Sequence, residues 1–270
     1  MQRTIYRVAG IEILSDTPIP ELDPQVLESD GDDDFLTVRL TDEASAGVPP
    51  SLVWYLDLRL DSGLRWMARA KNDAGYLFRY HELADFWVDR AGRQIVCCAR
   101  TVDVSDQTIR ALLLDHVLPL VLTLRGCYAL HAAAVVTERG ACAFAGYSGI
   151  GKSTLATSLS LAGHRILTDD CLILDEREAI FALPAHPNVK LYGETLEALI
   201  PRAITTTPVA QYTMKRRLPL KSSGFSSQYC MISLSGVSIT PDFSLRSEGR
   251  QPISIIRLWP EGYMSNWVCR

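Results

Sequence analysis

The stretch Ala145-Gly146-Tyr147-Ser148-Gly149-Ile150-Gly151-Lys152-Ser153-Thr154 constrains this chain more than any other. From Gly146 through Gly151, Lys152 and Ser153 it fits the pattern G-x-x-x-x-G-K-[ST]. Glycines at those positions let the backbone curl so that successive N–H groups aim at phosphate oxygens. The lysine then reaches the β- and γ-phosphates, and the Ser153 hydroxyl can bind Mg²⁺. Such a loop sits between a buried strand and a helix N-terminus, where unpaired amides and the helix dipole favour negative charge. Both flanks fit. Gly140 to Ala145 is small and apolar, as a buried strand should be. Lys152 to Ala162 reads as a helix with Leu155, Ala156, Leu159 and Ala162 on one face and Gly163 as its stop. A glycine-rich turn that merely contains Lys-Ser would not require strand, loop and helix in this order. The sequence thus predicts a nucleotide phosphate site formed by Gly146, Tyr147, Ser148, Gly149, Ile150, Gly151, Lys152, Ser153 and Thr154. Lys152 is expected to face solvent until a ligand arrives.

The remainder of the chain sets the surroundings of that loop. With 270 residues there is room for one large domain or two smaller ones, each with a core. The net charge of −4 gives no sign of a nucleic-acid surface. Seven cysteines, none in a C-x-x-C pair, read as reduced thiols of a cytoplasmic protein, and no cluster has zinc-ligand spacing. The first residues lack the apolar core of a signal peptide. The most apolar window, Ala111 to Leu124, is short for a bilayer span and carries Asp115 and His116, so no membrane partner is expected.

Residues 1–104 read as a mainly antiparallel β region, with a role in substrate recognition as one option. Strand candidates are Thr4–Val8, Ile11–Ser15, Phe35–Leu40, Leu52–Leu60, Leu64–Ala70, Tyr76–Tyr80, Ala84–Val88 and Gln94–Ala99. Turn residues such as Asp61-Ser62-Gly63 and Asn72-Asp73-Ala74-Gly75 separate them, the rhythm of a meander. The Pro-rich piece from Thr17 to Pro24 cannot join a central ladder. Asp30-Gly31-Asp32-Asp33-Asp34 is a solvated acidic turn without the ligand spacing of an EF-hand. Trp54, Trp66, Phe86 and Trp87 are expected in the core. Ser105 or Asp106 can cap a helix whose stripe runs from Ile109 to Leu124, kinked by Pro119 and ended by Gly126. The domain boundary is placed before this helix, giving domains 1–104 and 105–270. Tyr128 to Val136 then reads as one strand carrying His131, a residue that alone has little weight.

A second chemical signal follows the loop helix. His164-Arg165-Ile166-Leu167-Thr168-Asp169-Asp170 ends a short apolar strand in two neighbouring carboxylates. If that strand runs beside the one feeding the loop, its end faces the γ-phosphate and the metal. One carboxylate can hold Mg²⁺; the second is available to orient water in a hydrolase or to receive a hydroxyl proton in a kinase.

With these residues in place, the chain resembles the HPr kinase/phosphorylase catalytic domain, and within it the kinase-related branch found beside peptide-modification genes, which includes enzymes that phosphorylate a C-terminal serine of lasso peptides. The resemblance covers Leu130 to about Asp175: His131, the loop from Gly146 to Ser153, the Ala162-Gly163-His164-Arg165 turn and Asp169-Asp170. It implies an α/β, P-loop catalytic domain with a sheet resembling phosphoenolpyruvate carboxykinase. It also implies an ATP- and Mg²⁺-dependent kinase acting on a serine hydroxyl of a peptide or small protein. By the same resemblance Lys152 binds the β- and γ-phosphates, and Ser153 with Asp169 holds the metal. Asp170 is the base, and His131 orients the acidic pair.

Two departures matter. The Glu/Arg/Gly-rich signature tied to phosphate-driven dephosphorylation is replaced by Leu183-Pro184-Ala185-His186-Pro187-Asn188-Val189-Lys190-Leu191, so phosphorylase activity is not carried over. From about Ser233 the tail has little periodicity, with Ile253–Trp259 as its one clear strand candidate where a closing helix is expected. Lys190 and Lys215-Arg216-Arg217 read equally as contacts to phosphate or an acidic substrate or as solvated basic surface. A nucleotide-hydrolysing switch and a non-catalytic nucleotide-binding scaffold stand beside the kinase as alternatives. The acceptor, the nucleotide preference and the oligomeric state are left open, and a homo-oligomer is compatible with the sequence.

Overall fold

The computed structural model describes residues 3–22, 24–25, 35–41, 51–138, 140–146, 149–176, 180–183, 188–200, 205–219, 230–231, 237–239 and 245–247. The acidic turn at 30–34, Tyr147, Ser148, residues 184–187 and the 253–259 strand candidate lie outside them. The chain is a mixed α/β protein dominated by β-sheet, in two compact units: Met1–Arg125 with Ala210–Tyr212 and Arg270, and Gly126–Val209 with Thr213–Cys269.

The first unit holds a nine-stranded sheet. Its strands are β1 (Thr4–Val8), β2 (Ile11–Ser15), β3 (Pro24–Gln25), β4 (Leu36–Thr41), β5 (Val53–Arg59), β6 (Arg65–Asn72), β7 (Gly75–Tyr80), β8 (Ala84–Asp89) and β9 (Gln94–Ala99). The order is β3-β1-β2-β4-β9-β8-β7-β6-β5. From β5 to β9 the sheet is the expected antiparallel meander. The expectation fails at β4, which lies parallel to both of its neighbours, β2 and β9. β3 stays on the edge, as its proline requires. Strands β7 and β8 are apolar in consecutive positions because both their faces are buried, including Leu77, Phe78, Phe86 and Trp87. Trp54 departs from the expected core placement. It is 47% exposed on edge strand β5, with the Arg79 guanidinium 5.2 Å from its ring centre.

The helix after the sheet starts as expected, Ser105 capping it by accepting from the Thr108 amide. It runs as α1 (Asp106–Leu112), a π-turn over Leu113–Val117, and α2 (Leu118–Leu124). The break fits Pro119, which cannot donate to the ladder, and the Leu118 amide reaches back to Leu113 O. This helix belongs to the first unit, so the boundary falls after Arg125 and not near 104. The physical reason is its packing. Arg110 Nε donates to both oxygens of buried Glu21 at 3.2 and 2.9 Å. His116 stacks edge-on against Tyr80, and a Cβ at Gly92 would lie 3.2 Å from that of Leu124. By length and composition Asp106–Leu124 is long and apolar enough to cross a membrane, which the shorter window did not anticipate; 67% of it is buried inside the structure, as in a core helix.

The second unit begins with β10 (Tyr128–Leu130) and β11 (Ala132–Thr137). It continues through β12 (Gly140–Ala145), α3 (Lys152–Leu161), β13 (Arg165–Thr168), β14 (Leu172–Glu176), β15 (Ile180–Leu183), β16 (Asn188–Leu191) and α4 (Gly193–Leu199). β17 (Thr207–Ala210), β18 (Thr213–Pro219), β19 (Cys230–Met231), β20 (Val237–Ile239) and β21 (Leu245–Ser247) follow. Four small sheets pair as β12-β11-β13, β10-β14-β15-β19, β16-β18-β17 and β20-β21. α3 packs through Ala156 onto a core of Ala133, Val135, Ile166, Val189, Leu191 and Leu218. The expected face of α3 is therefore rotated. Ala156 is buried and Leu159 packs against this core, whereas Leu155 and Ala162 are exposed and Lys152 and Thr157 are buried.

Candidate active site

The three-stranded sheet positions the chemistry. Central β11 is antiparallel to both β12 and β13, so the last two run parallel with β11 between them. The strand bearing the acidic pair therefore does not lie directly beside the loop strand, as expected from sequence, yet the ends that matter still converge. Ala145 pairs with Ala132 and Thr168 with Ala134, which brings Gly146, Asp169 and the residue before β11, His131, to the same end of the sheet.

His131 also breaks the single strand expected over Tyr128–Val136. Before it, Leu130 pairs with Leu172 in the four-stranded sheet; after it, the chain joins the three-stranded one. Asp169 to Cys171 makes the same crossing between β13 and β14. The two crossings are bonded together. His131 Nδ1 lies 3.0 Å from Asp170 O, and a carbonyl only accepts, so the proton sits on Nδ1. Thr168 Oγ1 donates to Cys171 O at 2.6 Å and the Cys171 amide to Asp169 O at 2.9 Å. This turn holds Asp170 at φ +66°, a left-handed conformation uncommon for a residue with a Cβ. Burial lowers the His131 pKa. Lys152 and Lys215 lower it further, against the opposing pull of Asp170.

The described part of the loop, Gly146 and Gly149–Ser153, has the geometry its glycines permit. Gly149 and Gly151 take φ +82° and +100°. Gly151 leads into the ten-residue α3 without a side-chain cap, leaving the first-turn amides to the loop side. Lys152 corrects the expectation of a solvent-facing lysine: it is 8% exposed and its Nζ donates to Gly146 O at 2.9 Å, closing the loop on itself. Ile150 is exposed, and Thr154 is half-buried in the first turn of α3.

The two carboxylates occupy different environments. Asp169 is 1% exposed, Oδ2 accepts from the Lys190 amide at 3.0 Å, and Oδ1 has no hydrogen-bond partner among the described residues. Burial and then the neighbouring Asp170 push its pKa up to about 7, against the Lys190 amide and the Ser153 hydroxyl. For Asp170, burial pushes upward too, but Lys190, with Oδ2 3.3 Å from its Nζ, outweighs it together with Lys215 and His131. The Asp170 carboxyl is held well below the ordinary range. A buried carboxylate oxygen in want of a partner beside a serine hydroxyl suits a hard cation that completes its shell with phosphate and water oxygens. Among the described residues no three His, Cys, Asp or Glu side chains cluster for a metal.

Lys190 is the residue that sequence reasoning undervalued. It is 3% exposed, in a strand whose flanking Val189 and Leu191 pack under α3. The signal was there, a single charge between two core residues in a short strand, but it needed a partner to be interpreted. Strand alternation also divides the basic cluster. Arg217 lies opposite Lys190 and is buried, Lys215 is 5.8 Å from the Tyr192 ring, and Arg216 turns away to bond Thr206. A scan against protein-family models and a search of curated proteins return no match.

Proposed function

We propose that the chain is an ATP-dependent kinase that transfers the γ-phosphoryl group to a serine hydroxyl of a peptide or small protein, as its resemblance to HPr kinases implies. The observation that carries this reading is the difference between the carboxylates. Asp169 is buried close to the Ser153 hydroxyl with its Oδ2 on the Lys190 amide, whereas Asp170 is held anionic by the Lys190 ammonium. Ser153 and Asp169 would hold Mg²⁺, which neutralises charge on the phosphates. Lys152 exchanges Gly146 O for β- and γ-phosphate oxygens. Asp170 accepts the serine proton as the new O–P bond forms and the bond from the γ-phosphorus to the bridging oxygen breaks, releasing ADP. His131 positions Asp170 through its main-chain carbonyl. The β-rich first unit is the proposed peptide-recognition region, and free cysteines such as buried Cys97 and Cys171 fit a cytoplasmic setting.

The test is incubation of the full chain with Mg·ATP and a panel of serine-bearing peptides, read by mass spectrometry. Gain of one phosphate by a peptide supports the kinase. ADP release with every peptide unmodified selects a hydrolase.

A further inference from the structure

Lys190 touches both members of the acidic pair through different atoms. Its backbone amide donates to Asp169 at 3.0 Å, a contact that exchange of the side chain for glutamine or arginine leaves in place. Its ammonium lies 3.3 Å from Asp170, longer than the 2.7–2.9 Å typical of a closed charge-assisted bond. The ammonium sits in a side chain only 4% exposed, on a strand fixed by Val189 and Leu191 under α3, the helix that opens with Lys152 and Ser153. Directly across the ladder stands a second buried cation, Arg217.

We propose that Lys190 is a phosphate-binding residue whose charge is shared between Asp170 and the γ-phosphoryl group of ATP. This inference rests on the kinase reading above and adds to it the means by which the site tells ATP from ADP. The terminal phosphate competes with Asp170 for one ammonium, while ADP, which lacks that phosphate, leaves the pair as it stands.

The experiment measures the affinity of Mg·ADP and of an ATP analogue with a nitrogen between its last two phosphorus atoms. Three proteins are compared: wild type, Asp170→Asn, and the double variant Asp170→Asn/Lys190→Gln. The double variant leaves no buried carboxylate facing a missing cation, so it is the form suited to folding, and circular dichroism checks it. Asp170→Asn should bind the analogue about tenfold tighter than wild type, with ADP unchanged within about twofold. Adding Lys190→Gln should erase that gain and still leave ADP unchanged. If the gain survives in the double variant, relief of repulsion from Asp170 explains it and the proposal is wrong. If the double variant does not fold, Lys190→Arg in the Asp170→Asn background replaces it, and loss of the analogue's preference over ADP in that charged variant overturns the proposal. Should wild type bind neither nucleotide, the kinase reading falls and this one with it; binding without the coupling removes this one alone.

Discussion

Exchanging Asp169 for asparagine should make the metal-free protein more stable, and the gain should depend on pH. The carboxyl has its pKa raised from 3.8 to about 7 by burial and by Asp170. Below pH 3.8 it is protonated whether the chain is folded or not, and there is no penalty. As pH rises, the unfolded chain releases the proton while the folded chain keeps it, so stability is progressively lost until the folded group itself ionises near 7. Every pH unit between the two values costs about 1.4 kcal/mol. Because the site is coupled to Asp170, the total at pH 8 is about 2–4 kcal/mol, or roughly 5–15 °C in Tm for a chain of this size. In Asp169→Asn the amide oxygen can still accept from the Lys190 amide, and the NH₂ replaces the partnerless oxygen. The assay is thermal unfolding in EDTA at pH 5 and pH 8. Wild type should be the weaker protein at pH 8, with the gap at least halved at pH 5. An asparagine variant no more stable at pH 8, or a gap that does not change with pH, refutes the reasoning. The same variant should lose the Mg²⁺ dependence of nucleotide binding, which is how a site kept for function at the expense of the fold reveals itself.

Lys152→Ala should abolish ATP turnover, and because the side chain is buried on Gly146 O it should also cost about 1 kcal/mol of stability, visible in urea unfolding; turnover like wild type would mean the phosphate site is misplaced. Arg110→Met removes the guanidinium that pairs with the buried Glu21 carboxylate and should destabilise the first unit by about 3 kcal/mol, most of it recovered in Arg110→Met/Glu21→Gln; additive losses in the double-mutant cycle would contradict this. Inorganic phosphate should not strip phosphate from the product, since the signature for that activity is absent, and phosphate-dependent release of pyrophosphate would refute it.

The parts legible in the sequence are those set by neighbours along the chain. Gly149, Gly151, Lys152 and Ser153 define the loop by local conformation and charge, and Asn72–Gly75 or Asp61–Gly63 mark hairpins because turns need those residues. The rest depends on pairing across long stretches. Nothing within Leu36–Thr41 says that it will lie parallel between β2 and β9. Pro119 foretold an interruption, but the helix's allegiance to the first unit rests on Glu21, Tyr80 and Gly92, all distant in sequence. Lys190 read equally as a phosphate contact or as surface because its meaning resides in Asp169 and Asp170, about twenty residues away. His131 was placed near the pair only by resemblance; its bond to the Asp170 carbonyl joins two crossings that no local pattern announces.

The left-handed backbone at Asp170 narrows the alphabet that natural variation can use there. Glutamate, the closest substitute in charge, is disfavoured at φ +66°, and β-branched residues are worse, whereas asparagine and glycine accept that conformation readily. Both are one base change from an aspartate codon. If the proposed phosphoryl transfer is this chain's activity, a lineage that abandons it while keeping the fold should drift at this position to asparagine or glycine. Collections of related chains could then be sorted into working and retired members by this single column, before any of them is assayed.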